Sequence, residues 1–145
     1  MKVNIKKLNE NAIIPTYGSQ YAAGADLYAC LEGELTIEPN QTVLVKTGIA
    51  IEVPIGYGAF IYARSGLASK RGLAPANKVG VVDCDYRGEV MVALHNHSTS
   101  AKSILPGERI AQMVIAPYIT AEFTEVESLS DTDRGEGGFG STGRK

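Results

Sequence analysis

The 145-residue chain has no tryptophan, only two cysteines and only two histidines. Cys30 and Cys84 stand far apart and form no C-x-x-C pair, which excludes a disulfide framework or a zinc knuckle as the organising principle and predicts a reducing, cytoplasmic setting. Nowhere do 18 apolar residues occur together, and the charged start MKVNIKKLNENA is followed by no apolar run, so neither a spanning helix nor a signal peptide is expected. The formal net charge of -2 lacks the basic excess of a sequence-independent nucleic-acid binder. Helical periodicity is almost absent as well, with one short helix predicted over residues 66–70.

What the chain does have is a period of two. From Val43 the branched residues Val43, Val45, Thr47, Ile49, Ile51 and Val53 alternate with polar or small ones, which puts them on one face of an extended chain bent at Gly48. Val90, Val92 and Leu94 repeat the signature. Shorter β-rich runs at 3–5, 59–62, 78–82, 109–116 and 122–126 are separated by turn signals such as Glu38-Pro39-Asn40 and Leu105-Pro106-Gly107. Many short strands at such spacing predict a single all-β domain of sandwich, jelly-roll or barrel type over residues 1–126. From 127 to 145 the only large apolar side chains are Leu129 and Phe139, too few to order the segment against a core, so a mobile arm is expected.

Several segments carry chemistry. Residues 63–70, Ala-Arg-Ser-Gly-Leu-Ala-Ser-Lys, set a guanidinium, a hydroxyl and glycine amides at a strand end, a combination that suits a phosphate and also suits a plain solvated loop. In Gly80-Val-Val-Asp-Cys-Asp-Tyr-Arg-Gly88, Asp83 and Asp85 share a face. They suit a metal, a water or a capped turn, and Asp83, at the end of an apolar run, is the better candidate for a partly buried base. Gln112 interrupts the apolar face of the run 109–115, and its amide needs a backbone or ligand partner. His95 and His97 share a strand face, but no third metal ligand is spaced to join them. In the tail, Gly135, Gly137 and Gly140 fit G-x-G-x-x-G, yet no strand feeds them and too few residues follow for the helix that such a fingerprint needs.

Taken in order, AGADLYA (23–29), ARSGLASK (63–70), GVVDCDYRGE (80–89), GERIAQMVI (107–115) and RGEGGFGSTG (134–143) resemble the five ordered motifs of the homotrimeric dUTPases. The resemblance runs from the first strands to the tail. It implies a distorted jelly-roll barrel, a homotrimer with sites shared between subunits, and hydrolysis of dUTP to dUMP and pyrophosphate with Mg2+, which lowers dUTP and supplies dUMP for dTTP synthesis. No nucleic acid or membrane partner is implied.

By the same resemblance, Asp83 orients and deprotonates the attacking water, Asn77 takes part in reading uracil on a β-hairpin, and Tyr86 packs against the deoxyribose. Arg64, Ser65, Gly66 and Gln112 match phosphate contacts. Asp26 matches an acid acting near the metal through water. In the tail Arg134 matches a guanidinium on the γ-phosphate, Phe139 a ring stacked over uracil, and Gly140, Ser141 and Thr142 further phosphate contacts. Cys84, beside the proposed base, reads as a tolerated turn residue. Two rivals are a dCTP deaminase, which shares this fold but needs its own acid/base glutamate, and a nucleotide-sensing trimer without turnover.

Overall fold

The alternation that begins at Val43 is realised as two strands broken at Gly48, whose φ of 70° is a conformation that glycine adopts without a Cβ penalty. The computed structural model describes residues 1–138. Within them the strands are β1 (Asn4–Lys7), β2 (Thr16–Tyr17), β3 (Ala25–Tyr28), β4 (Leu35–Ile37), β5 (Thr42–Lys46), β6 (Ile49–Glu52) and β7 (Tyr57–Tyr62), followed by helix α1 (Ser65–Arg71). Then come β8 (Leu73–Pro75), β9 (Gly80–Val82), β10 (Met91–Asn96), β11 (Lys102–Ile104) and β12 (Arg109–Pro117).

These strands pair antiparallel in four sheets, ordered β1-β6, β5-β10-β8, β11-β4 and β2-β3-β12-β7-β9. The architecture is all-β and of jelly-roll type, with separate ladders packed around one core. Leu27, Ile37, Ile49, Leu73, Leu94 and Ile110 from the different sheets are fully buried in it. Two polar side chains, Thr47 and Asn96, are buried with them. Asn96 donates from Nδ2 to the carbonyls of Ile37 and Ser100 at 2.9 and 2.8 Å, and its Oδ1 accepts from the Ser98 amide and hydroxyl, so all of its bonding capacity is used.

The predicted helix extends one residue further at each end, to Ser65–Arg71. It stops at Gly72, which takes a left-handed φ of 68° and donates its N–H back to the last turn, with Lys70 and Arg71 favourably placed at the helix C-terminus. The expected strand at 122–126 does not form. The last strand ends at Pro117, and Phe123 and Val126 are exposed, so the segment takes none of the sheet edges and has no ladder to hold it extended. The strands β2, β4, β8 and β11, each only two or three residues long, escaped the periodicity altogether.

At the bend, a Cβ on Gly48 would lie 2.8 Å from both the Ala12 Cβ and the Cys30 Sγ. Gly48→Ala therefore combines backbone strain with overpacking. It should lower stability by about 1–3 kcal/mol in urea unfolding, and an unchanged midpoint would refute this account of the bend.

Candidate active site

Strand β12 lies between β3 and β7, and its register sets Gln112 opposite Asp26 on one side and Tyr62 on the other. Cross-strand partners project from the same face, so this row brings an acid and an amide to the end of β7, where Arg64 follows. The Asp26 side chain is only 13% exposed and holds two guanidiniums. Arg64 Nε donates to its Oδ1 at 2.7 Å, and Arg109 Nη1 donates to its Oδ2 at 3.1 Å. Arg64 Nη1 also reaches the Arg109 carbonyl at 3.2 Å, which fixes the guanidinium against the sheet.

Gln112 donates from Nε2 to the Ala63 carbonyl at 2.9 Å, so the backbone supplies one partner of its amide. Gly24 makes that placement possible, since a Cβ there would come within 2.6 Å of the Gln112 Oε1. Ser65 and Gly66 open α1, both exposed, and a Cβ on Gly66 would meet nothing within 4 Å. The chain itself does not require glycine at 66; open backbone at a helix start beside a guanidinium is suited to close approach by an anion.

A second group of predicted residues lines a cleft of about 230 Å³ on the far side of β9. Asn77, Gly80, Asp83 and Tyr86 contribute to it, with Leu44 and Met91 as apolar walls. Asn77 sits in a tight turn in which Lys78 takes a φ of 65°, and the Asn77 amide lies over Gly80. The strands flanking this turn do not form a hairpin with each other. Strand β8 pairs with β10 and β9 pairs with β7, so the turn links two sheets.

Tyr86 donates its hydroxyl to the Glu89 carbonyl at 3.0 Å, and its ring lies directly over Gly88, where a Cβ would come within 2.3 Å of the hydroxyl oxygen. Asp83 and Asp85 are both exposed, which corrects the expectation of a partly buried base: the turn that follows β9 opens to solvent in the single chain. Cys84 is half-buried, with its Sγ 3.4 Å from the Tyr118 hydroxyl. The hydrogen bond to Cys84 and the charge interaction with it, then desolvation and the nearby Asp83 and Asp85, raise the Tyr118 hydroxyl above the ordinary tyrosine value.

The Asp83 end of the cleft stands apart from Arg64 within one chain. Val82 pairs with Ala59 near the start of β7 while Arg64 follows its end, and at about 3.3 Å per residue that stretch of strand spans roughly 17 Å, whereas Gly80, paired with Ile61, is only about 10 Å of strand away. Arg134 joins neither group: it turns back on its own segment, with Nε donating to the Gly137 carbonyl at 2.7 Å. Phe139, Gly140, Ser141 and Thr142 lie outside the described residues. Among the described residues no group of three His, Cys, Asp or Glu side chains could hold a metal ion.

Sequence reasoning missed two residues of this architecture. Arg109 is in phase with Ala111, Met113 and Ile115, and a charge in phase with an apolar face signals either a bulge or an ion pair; here a bulge between Arg109 and Ala111 and the bond to Asp26 are both present. Gly88 seats Tyr86, and it carried no signal beyond its place in a turn.

The dUTPase family profile matches residues 10–143. The deoxyuridine 5'-triphosphate nucleotidohydrolase of Nautilia profundicola is 52% identical over 144 residues, covering 99% of this chain and 100% of that one. The protein of the same name from Desulfitobacterium hafniense is 56% identical over 131 residues, covering 90% and 87%. Among solved structures, a Staphylococcus bacteriophage 80alpha dUTPase variant with dUpNHpp superimposes with a TM-score of 0.90 at 29% identity, covering 98% of both chains. A family match over almost the whole chain, relatives at about half identity and a shared fold place this chain in the dUTPase family.

Proposed function

We propose that the protein hydrolyses dUTP to dUMP and pyrophosphate by attack of water on the α-phosphorus. The observation that carries this reading is the cleft that gathers Asn77, Asp83 and Tyr86 in a chain of the dUTPase family. Its volume of about 230 Å³ lies below the ~300–1,000 Å³ of sites for drug-sized ligands, which suits a nucleoside and leaves the triphosphate to project beyond it.

In this mechanism Asp83 accepts a proton from water while the new P–O bond forms at the α-phosphorus; the bond to the bridging oxygen breaks and pyrophosphate leaves with that oxygen. Asn77 and the backbone of its turn read the uracil edge. The Tyr86 ring, fixed over Gly88, presents carbon to the sugar 2′ position, so a ribose hydroxyl would lose its hydrogen bonds there. Arg64, Ser65, Gly66 and Gln112 hold the phosphates, where positioning and charge neutralisation do most of the catalytic work.

Magnesium belongs to the same proposal. Asp26 already has an arginine on each oxygen and, among the described residues, no carboxylate cluster stands beside it, a donor set that fits a cation carried by the triphosphate and contacted by Asp26 through water. When bound, the ion would neutralise charge on the phosphates.

A homotrimer with shared sites is also part of the reading. It is supported by the roughly 17 Å of strand between the Asp83 end of the cleft and Arg64, by the open Asp83 and by the bare apolar side chains Ile119, Phe123 and Leu129 that follow β12. The segment 127–145 would then act as an arm closing over a site built by other subunits, bringing Arg134, Phe139, Gly140, Ser141 and Thr142 to the nucleotide. A cytoplasmic location goes with this reading and is supported by the two free thiols.

Three experiments test the proposal. Pyrophosphate release should be fast with dUTP and slow with dTTP, dCTP and UTP, and Asp83→Asn should bind dUTP while losing about 10²–10⁴-fold in turnover; ammonia from dCTP would instead establish a deaminase. Gly88→Ala, by displacing the Tyr86 ring, should reduce the preference for dUTP over UTP by about 10–100-fold, and unchanged discrimination would remove Tyr86 from its role. Deleting residues 134–145 should leave a folded protein of unchanged oligomeric state that has lost about 10²-fold in kcat, the usual cost of removing a preorganised charge contact; wild-type kinetics would dismiss the arm.

A further inference from the structure

The two histidines of the chain stand together. Both are on or just beyond β10, two residues apart, so their side chains leave the strand on the same side, and their ring centroids are 4.3 Å apart at an interplanar angle of 60°. We infer that His95 and His97 form a two-point chelate for a borderline divalent cation of the zinc and nickel class, separate from the magnesium of the proposed reaction.

The backbone under the pair is held on both sides. His95 pairs with Thr42 of β5 and with Ala74 of β8, and the His97 N–H donates to the Gly72 carbonyl at 2.8 Å. Between them Asn96, the last residue of β10, is locked into the core by its amide bonds, so the backbone joining the two rings is anchored although His97 itself lies just past the strand.

The orientation of the rings is also constrained. His95 Nδ1 lies 2.8 Å from the Thr42 hydroxyl. In the tautomer in which Nδ1–H donates to that oxygen, Nε2 carries the free lone pair, the arrangement by which an outer hydrogen bond fixes a metal-ligating histidine. His97 is exposed, so its ring is open to an ion arriving from solvent.

The donor set decides the class of ion. Imidazole nitrogens suit zinc, nickel and copper, whereas magnesium and calcium take oxygen ligands. With no third His, Cys, Asp or Glu in reach among the described residues, water completes the coordination, which makes the site open and exchangeable, unlike the closed four-ligand sites that hold structural zinc. Its neighbourhood is specific. Ala76 N–H donates to the Ala93 carbonyl at 2.7 Å, so the strand bearing the histidines also braces the start of the turn that carries Asn77.

The test is calorimetric titration of the full-length protein with nickel chloride and with zinc chloride, alongside the imidazole resonances by NMR. One ion should bind per chain, broadening both histidine signals under nickel, and a large excess of magnesium chloride should not displace it. His95→Asn and His97→Asn should each weaken nickel binding about tenfold or more, and Thr42→Val should weaken it less. Circular dichroism of the variants should match the wild type, and Cys30→Ser should leave binding intact. Nickel binding of equal strength in His97→Asn, or none in the wild type at millimolar nickel, would overturn the inference.

Discussion

The pairing of β12 with strands on both of its sides is the constraint on which the rest of the site depends. A strand used on both edges cannot slip without breaking two ladders, and a slip by one residue would turn Gln112 to the opposite face of the sheet. With the register held, Asp26, Gln112 and Tyr62 fall in one row and the carbonyl of Ala63 comes within reach of the Gln112 amide. The bulge after Arg109 then lets a charged residue leave a run of otherwise buried positions and reach Asp26. Gly24 completes the fit, because any side chain there would displace the amide. The charge cluster is thus a product of backbone geometry, and its arginines are oriented before any ligand arrives.

Strand β7 links this cluster to the rest of the molecule and also keeps it apart. It pairs with β12 along its whole length and with β9 only over Ala59–Ile61, so the cleft that β9 feeds begins near one end of β7 while Arg64 follows the other. An extended strand is a stiff spacer, so Asp83 and Arg64 are held at a fixed separation along β7. The proposed reading gives that separation a purpose, with the two groups contributed to one site by different copies of the chain.

The architecture was legible where alternation is long and the faces differ. The bent run through Gly48 and the run at Val90–Leu94 could be read directly, as could the helix at its small-residue start. The shortest strands could not be read, because two or three residues do not establish a period, and their pairing is fixed by partners distant in sequence. The segment 122–126 failed for the converse reason: it has the pattern of a strand, but a strand needs a neighbouring edge, and a pattern does not show whether the segment takes one. The site was legible mainly through the order of its motifs. Asp83 lines the cleft but is exposed, which the apolar run before it did not report, because a run ending at a turn does not show which way the turn faces.

Glycine carries much of what separates a motif from a mere composition here, and it does so in two distinguishable ways. Gly24, Gly48 and Gly88 are demanded by the chain itself, since an added Cβ would strike Gln112, Ala12 and Cys30, or Tyr86 at under 3 Å. Gly66 is different: nothing in the chain approaches it, so intramolecular packing gives no reason for its lack of a side chain. A glycine that the fold does not require, at the start of a helix beside an oriented guanidinium, is best explained by something that must come close to the backbone from outside. The same distinction separates Gly88, which seats a tyrosine of the cleft, from Gly66, which leaves backbone open beside Arg64: one device is rigid, the other accessible.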